Sequence, residues 1–362
     1  MFCAQKVEEE FLMKTSLRRL FPAWSSMIEA QATKSHNRSR VWQVAGALAG
    51  ALLLSQVCAA QNTGINFPPN QGTSGGGAFL AGIYTYTYTN AQIAAANSTF
   101  NMMRIPINEA TANDPASLQT IKGYIDQFAG HYAIICMFGV AQTGKTHGDG
   151  FPDGLAAMGA AWANINAVFA SYPNVHYEIF NEPFGYPWST LAEKQHYVSD
   201  METIITDAGM SISDPRIILD GMGYAQKIDE VVEGGWGGDI AYHFYPNWID
   251  PANQTPLQSN FSNLVQSTLA NYGQRVWITE FGANLSEPNT CYDTFDGGVT
   301  AADQNINALR GLDDALRALR ANGHGVKGAF AWHGWDNGDT YDYWLSSNNN
   351  GACKVREIET HD

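Results

Sequence analysis

Beyond residue 61 the chain alternates between two spacings of apolar residues. Short runs rich in β-branched and aromatic side chains read as strands at Gly64–Phe67, Asn101–Ile105, Tyr132–Phe138, Val175–Phe180, Arg216–Leu219, Ile240–Phe244, Arg275–Glu280 and Val326–Trp332. Between them, Ala116–Ala129, Leu155–Ala170, Leu191–Ala208, Asn260–Tyr272 and Ala301–Ala321 place apolar residues three and four apart, which predicts helices. Asp114-Pro115 and Ser189-Thr190 are suited to start two of them. The strand runs are apolar along most of their length, so helices should cover the sheet from outside, as around parallel strands. Eight such units predict an α/β fold, a (β/α)8 TIM barrel forming a single catalytic domain over residues 61–362, for which about 250 residues suffice. Residues 346–362 are rich in Asn and Gly early on and lack a helical period; no repeat, linker or accessory module is visible.

Ahead of this pattern stands an uncharged run, Val41–Val57, preceded by Arg38 and Arg40 and followed by Cys58-Ala59-Ala60. A basic flank, an apolar stretch and small residues are the layout of an export signal, and the run is short for a membrane-spanning helix. We expect residues 1–60 to be an N-terminal extension and signal peptide, and the rest to be secreted, extracellular or periplasmic, with no stable membrane association after signal removal. The long stretch before the run is unusual for a signal, which leaves Met13 and Met27 as alternative starts. Export permits disulfides. Cys291 and Cys353 lie in polar segments and are candidates to pair, whereas Cys136, within an apolar strand, reads as a buried free thiol.

The formal charge of −15 argues against nucleic acid as a partner, because phosphate binding needs basic surface. Residues 1–60 hold seven Lys and Arg against four Glu, so the remainder is more acidic still. Ten Trp suit either a large core or flat stacking surfaces for carbohydrate.

In such barrels, chemistry is carried by residues at the C-terminal ends of strands. Read this way, the second strand supplies Arg104, the fourth Asn181 and Glu182, the sixth His243 and Tyr245, the seventh Glu280, and the eighth Trp332. Two carboxylates facing one another across a barrel mouth suit glycosidic cleavage, in which one group protonates the leaving oxygen while the other attacks the anomeric carbon or guides water. We assign Glu182 as acid/base and Glu280 as nucleophile, and expect about 5 Å between them, the spacing of retaining enzymes. Arg104 and the Tyr245 hydroxyl would hold Glu280, Asn181 would contact a sugar 2-hydroxyl, and His243 would bind sugar or tune the acid. Trp332 would form the floor of the subsite before the cleaved bond, with Trp335 just beyond it. Trp188, Trp248 and the alternating Tyr84, Tyr86 and Tyr88 are rings that serve either packing or sugar stacking.

The segments carrying these residues resemble those of glycoside hydrolase family 5, the cellulase-type endoglucanases. Ile179-Phe180-Asn181-Glu182-Pro183 and Trp277-Ile278-Thr279-Glu280-Phe281-Gly282 are similar to its two carboxylate signatures. Met103-Arg104-Ile105-Pro106, His243-Phe244-Tyr245-Pro246, Gly328-Ala329-Phe330-Ala331-Trp332 and Gly64-Ile65-Asn66 resemble its other strand ends, in the same order over residues 63–345. The resemblance implies a monomeric, cofactor-free, retaining endo-β-glycanase that cleaves a β-glucan polysaccharide, first a cellulose-type β-1,4-glucan, second mannan, third xyloglucan or mixed-linkage glucan. Many members end strand three with a His-Asn pair. This chain has Met137-Phe138-Gly139 there, leaving Gln142 or His147 nearby to substitute.

Gly139–Thr146 matches a phosphate-binding loop in letters only, since the Gly- and Pro-bearing stretch after it cannot open the required helix. Asp336–Asp342 is oxygen-rich but lacks the final Glu of a calcium loop, so no metal is expected. A barrel that binds sugar without turning it over is the alternative of another class, and Glu182→Gln separates it from an enzyme.

Overall fold

The computed structural model describes residues 63–69, 81–128, 132–139, 148–285, 304–334 and 340–344. Eight parallel strands close a barrel in sequence order: β1 (Thr63–Asn66), β2 (Met102–Ile107), β3 (Tyr132–Met137), β4 (Val175–Glu178), β5 (Ile217–Asp220), β6 (Asp239–Phe244), β7 (Val276–Phe281) and β8 (Gly328–Ala331). β1 pairs with both β2 and β8, so no strand edge is left open. A main helix joins each consecutive pair: α1 (Asn90–Thr99), α2 (Pro115–Gln127), α3 (Leu155–Phe169), α4 (Leu191–Asp207), α5 (Ile228–Glu233), α6 (Gln258–Leu269) and α7 (Gln304–Ala321), with short extra turns at Glu109–Ala112 and Met222–Ala225. This is the (β/α)8 barrel expected from the sequence.

Local chemistry explains where the helices begin. Asp114 accepts the backbone N–H of Ser117 at the start of α2, and Thr190 forms a reciprocal capping box with Glu193 at the start of α4. α1 and α5 had no clear signature: α1 has a weak apolar stripe and is set by a Thr89–Gln92 capping box, and α5 is only six residues long. Every residue of seven strands is buried, as is all of β3 except Tyr132, because one face meets the helices and the other the barrel lumen.

The lumen is layered. Met102, Ile134, Ile218, Ala241, Trp277 and Phe330 fill its lower part. Gly64 completes that layer: a Cβ there would lie 2.3 Å from the Phe330 ring. Two residues further along each strand, side chains again point inward, and this layer is polar: Asn66, Arg104, Cys136, Glu178, Asp220, His243 and Thr279.

Tyr84, Tyr86 and Tyr88 are buried in the core rather than free to stack on sugar. The Tyr86 hydroxyl donates to the Pro106 carbonyl and that of Tyr88 to the Pro68 carbonyl. No helix among the described residues is long and apolar enough to cross a membrane; Val41–Val57 lies outside them.

Candidate active site

Arg104, on β2, is fully buried and organises the mouth of the barrel. Its Nε and Nη2 donate to the two carboxylate oxygens of Glu178, at 2.7 and 2.9 Å. Nη1 donates to Glu280 Oε1 at 2.7 Å and Asn66 Oδ1 at 2.8 Å, and Nη2 also to Asn181 Oδ1 at 2.7 Å. Such a fork is the geometry arginine offers and lysine does not. Burial alone would raise the Glu178 carboxyl, but Arg104 outweighs it and holds the group well below the usual carboxylate range. Cys136 is a buried free thiol, as expected, with Sγ 3.0 Å from Arg104 Nη2.

Glu280 sits where β7 leaves regular register. Tyr242 pairs with Ile278 but His243 pairs with Glu280, so Thr279 is an extra residue. This bulge turns Thr279 and Glu280, adjacent in sequence, toward the same interior, which a regular strand forbids. Glu280 then accepts from Arg104 through Oε1 and from the Tyr245 hydroxyl through Oε2, the latter at 2.6 Å.

Glu182 follows β4 with a positive φ of 48°. Its backbone N–H donates to Asp220 Oδ2 at 2.8 Å, and its Oε1 lies 2.9 Å from His243 Nδ1. The same nitrogen is 3.5 Å from Glu280 Oε2, and the facing atoms of Glu182, His243 and Glu280 all lie within 4.8 Å of one another.

The His243 ring is oriented from below. The Thr279 hydroxyl donates to Glu178 Oε1 at 2.9 Å, so its oxygen is left to accept from His243 Nε2–H at 3.0 Å. Nδ1 therefore faces Glu182 as acceptor when the ring is neutral and as donor when it is charged. Burial opposes the charged ring, but Glu280, Glu178 and Glu182 outweigh it and push the imidazole up to about 10.

Trp332 and Trp248 border a cleft of about 580 Å³ with Tyr245, Gln304, Asn305 and Tyr341. The Trp248 indole N–H is fixed on the His243 carbonyl at 2.6 Å. Phe138 follows β3 and packs nearly parallel to Trp332 with ring centres 6.2 Å apart, so an apolar wall stands at the strand-three end. Trp335, Gln142, His147, Cys291 and Cys353 lie outside the described residues. Asn181 presents its amide oxygen to Arg104, which leaves it donation as its chemistry toward a substrate.

Four groups that the reading of strand ends passed over belong to the site: Glu178, Asp220, Thr279 and Asn66. Strand alternation could have found them, since each stands two residues after a residue of the lumen floor. A stacked pair, Phe184 and Tyr224, with centres 4.9 Å apart, stands on the segments after β4 and β5, beside Glu182. Trp188 packs under the same β5 loop at Gly223.

A closed parallel barrel carrying two facing carboxylates, an arginine fork and aromatic walls at the C-terminal ends of its strands defines a glycoside hydrolase. The chain belongs to the cellulase family, glycosyl hydrolase family 5, whose sequence pattern matches residues 59–313. No curated protein matches it in sequence. Among solved structures, an endo-beta-1,4-glucanase from Xanthomonas axonopodis pv. citri carrying three substitutions is 15% identical. That match covers 83% of this chain and 99% of the other, with a TM-score of 0.59. The Pseudomonas stutzeri endoglucanase Cel5A in complex with cellobiose is 14% identical, covering 83% and 91%, with a TM-score of 0.53. At these identities the likeness establishes the fold.

Proposed function

We propose that this glycoside hydrolase is a retaining endo-β-glycanase, with a cellulose-type β-1,4-glucan as substrate and no cofactor. The observation that carries the mechanism is the spacing of the pair: Glu182 and Glu280 present oxygens within 4.8 Å of each other around one imidazole nitrogen. Inverting enzymes separate their carboxyl groups by about 6.5–9.5 Å to admit a water, whereas about 5 Å suits direct attack.

In the first step Glu280 attacks the anomeric carbon, and the bond to the leaving oxygen breaks as Glu182 delivers its proton there. Arg104 and Tyr245 aim the attacking carboxylate. In the second, Glu182 takes a proton from water, which displaces Glu280 and regenerates both groups. His243 suits both steps, because it accepts from protonated Glu182 or donates to its anion without leaving Thr279. The substrate assignment follows the endoglucanase structures named above, with mannan as the next candidate. We further propose that the domain acts outside the cytoplasm as a monomer, in keeping with the apolar run at Val41–Val57.

The test is reducing-sugar release from carboxymethyl-cellulose, mannan, xyloglucan and xylan by the full chain, with proton NMR of the first anomer formed. β-1,4-Glucan should be cleaved with β-product first, and Glu280→Gln should abolish this. Glu182→Gln should lose activity on polymer but keep it on an aryl glycoside whose leaving group needs no proton. An α-anomer as first product would overturn retention; cleavage of mannan alone would overturn the substrate. Sugar binding without hydrolysis would leave a binding barrel.

A further inference from the structure

Among the described residues, four carboxyl groups, Glu178, Glu182, Asp220 and Glu280, lie close around the Arg104 guanidinium and the His243 imidazole. Arg104 is committed to Glu178 and Glu280. Asp220, the last residue of β5, is fully buried, and its one ion-pair contact among the described residues is the His243 ring, which three other carboxylates share. Its Oδ2 accepts the Glu182 backbone N–H and stands 3.9 Å from His243 Nε2, a nitrogen directed at Thr279. Its Oδ1 has no hydrogen-bond partner. The residue it holds, Glu182, has its backbone in the left-handed region, which is strained for a non-glycine residue and persists only where neighbours enforce it.

We propose that Asp220 is a positioning residue that works as a neutral carboxylic acid, its carbonyl oxygen pinning the backbone N–H of Glu182 in the left-handed turn that aims the acid/base. The proposal rests on the reading of Glu182 as that acid/base.

The physical case is that a second buried anion here would be only partly compensated, since Arg104 and His243 are already engaged by Glu178, Glu182 and Glu280. An ionised Asp220 would stand within 4.8 Å of Glu178, which Arg104 keeps charged, and would carry an oxygen with no donor at all. An unpaired buried charge of that kind is avoided by taking up a proton. Glu178 faces Asp220 from β4, Cys136 from β3, Tyr197 from α4, Arg104 from β2, His243 from β6 and Glu182 from the rim. Burial and then the Glu178 charge drive the Asp220 carboxyl well above the usual range, and His243 and Arg104 do not reverse this. A protonated carboxyl still offers a carbonyl oxygen, which is all the Glu182 N–H requires. It also leaves the acid/base free to cycle between its two protonation states without a fixed anion at its own amide.

Two variants and one spectrum decide the matter. Asp220→Asn keeps a carbonyl acceptor and stays uncharged; kcat/KM should remain within about threefold of wild type with the same pH profile. Asp220→Ala removes the pin; kcat should fall about 10- to 100-fold with little change in KM, the pattern of a misplaced group rather than lost binding. The infrared difference spectrum of wild type minus Asp220→Asn at neutral pH should show the carbonyl stretch of a protonated carboxylic acid. A carboxylate band in its place would overturn the proposal. So would a basic limb displaced to lower pH in Asp220→Asn, because removing an anion beside Glu182 would make it lose its proton earlier. Full activity of Asp220→Ala would remove the positioning role. If Asp220→Ala does not fold, Asp220→Asn and the spectrum still decide. The spectrum needs no substrate, so a carbonyl band in a chain that cleaves no polymer would sink the glycanase reading and leave the neutral Asp220 standing.

Discussion

His243 Nδ1 and Glu182 Oε1 lie 2.9 Å apart, and the other side of the ring is tied to the barrel interior through the Thr279 hydroxyl. The nitrogen that meets Glu182, the proposed acid/base, is therefore chosen by Thr279, a residue buried in the barrel interior. This layout makes the response to several substitutions predictable.

Thr279→Val keeps the volume but deletes the link between His243 and Glu178. The ring loses its fixed orientation, so kcat should fall about tenfold with a smaller change in KM, as when a partner that orients a reacting group is lost. The pH–rate profile should shift with it. An unchanged profile would mean that Thr279 does not set the imidazole.

Arg104→Lys should behave as a severe change. One ammonium cannot reproduce contacts to Glu178, Glu280, Asn66 and Asn181. Leaving Glu178 under-compensated in the interior should cost about 3–5 kcal/mol of stability, and activity should fall at least 100-fold. Chemical denaturation and kcat/KM are the measurements.

His176 packs between Tyr132 and Trp277 in the barrel floor, with ring centres 5.4 and 5.0 Å away. Burial is the main influence and lowers its imidazole from 6.5 to about 4. The unfolded chain therefore takes up this proton first. The stability tied to the neutral ring is present above about pH 6.5 and is lost as pH falls toward about 4, up to about 3 kcal/mol. Thermal unfolding at pH 7.5 and 4.5 should show a smaller difference for His176→Phe than for wild type.

Tyr224 is 49% exposed and stacked on Phe184, two residues after Glu182. A leaving sugar protonated by Glu182 would lie toward this ring. Tyr224→Ala should raise KM for cello-oligosaccharides about five- to tenfold while sparing kcat, the size of one lost sugar–aromatic contact. Equal KM values would place the leaving sugar elsewhere.

Gly64→Ala should destabilise by about 1–3 kcal/mol, because the new methyl would meet the Phe330 ring at 2.3 Å in a filled lumen. Denaturant titration reads this directly, with little effect on kcat if the site above the floor is undisturbed.

Much of the site is legible in one dimension because a barrel places functional groups at strand ends. Arg104, Asn181, Glu182, His243, Tyr245, Glu280 and Trp332 all stand where that rule puts them, and the fold brings all seven to one mouth. Glu178 and Asp220 escaped because Glu178 lies inside the run Val175–Phe180 and Asp220 directly follows the run Arg216–Leu219, neither of them at the strand end that was read for chemistry. The Tyr84, Tyr86 and Tyr88 stripe left packing and sugar stacking open in the sequence, and the structure settles it for packing: the rings fill the space beside β1 and β2.

The sequence by itself determined the order of strands and helices, the barrel they close into and the strand ends that carry chemistry, since burial on both faces and the 3.6-residue stripe are one-dimensional signals. Only the tertiary structure decided how those groups act. The bulge at Thr279 turns two successive residues inward, the Arg104 fork spans four strands, and the left-handed turn at Glu182 is pinned from β5. Such relations join residues far apart along the chain and depend on register and directional hydrogen bonds, which no local pattern encodes.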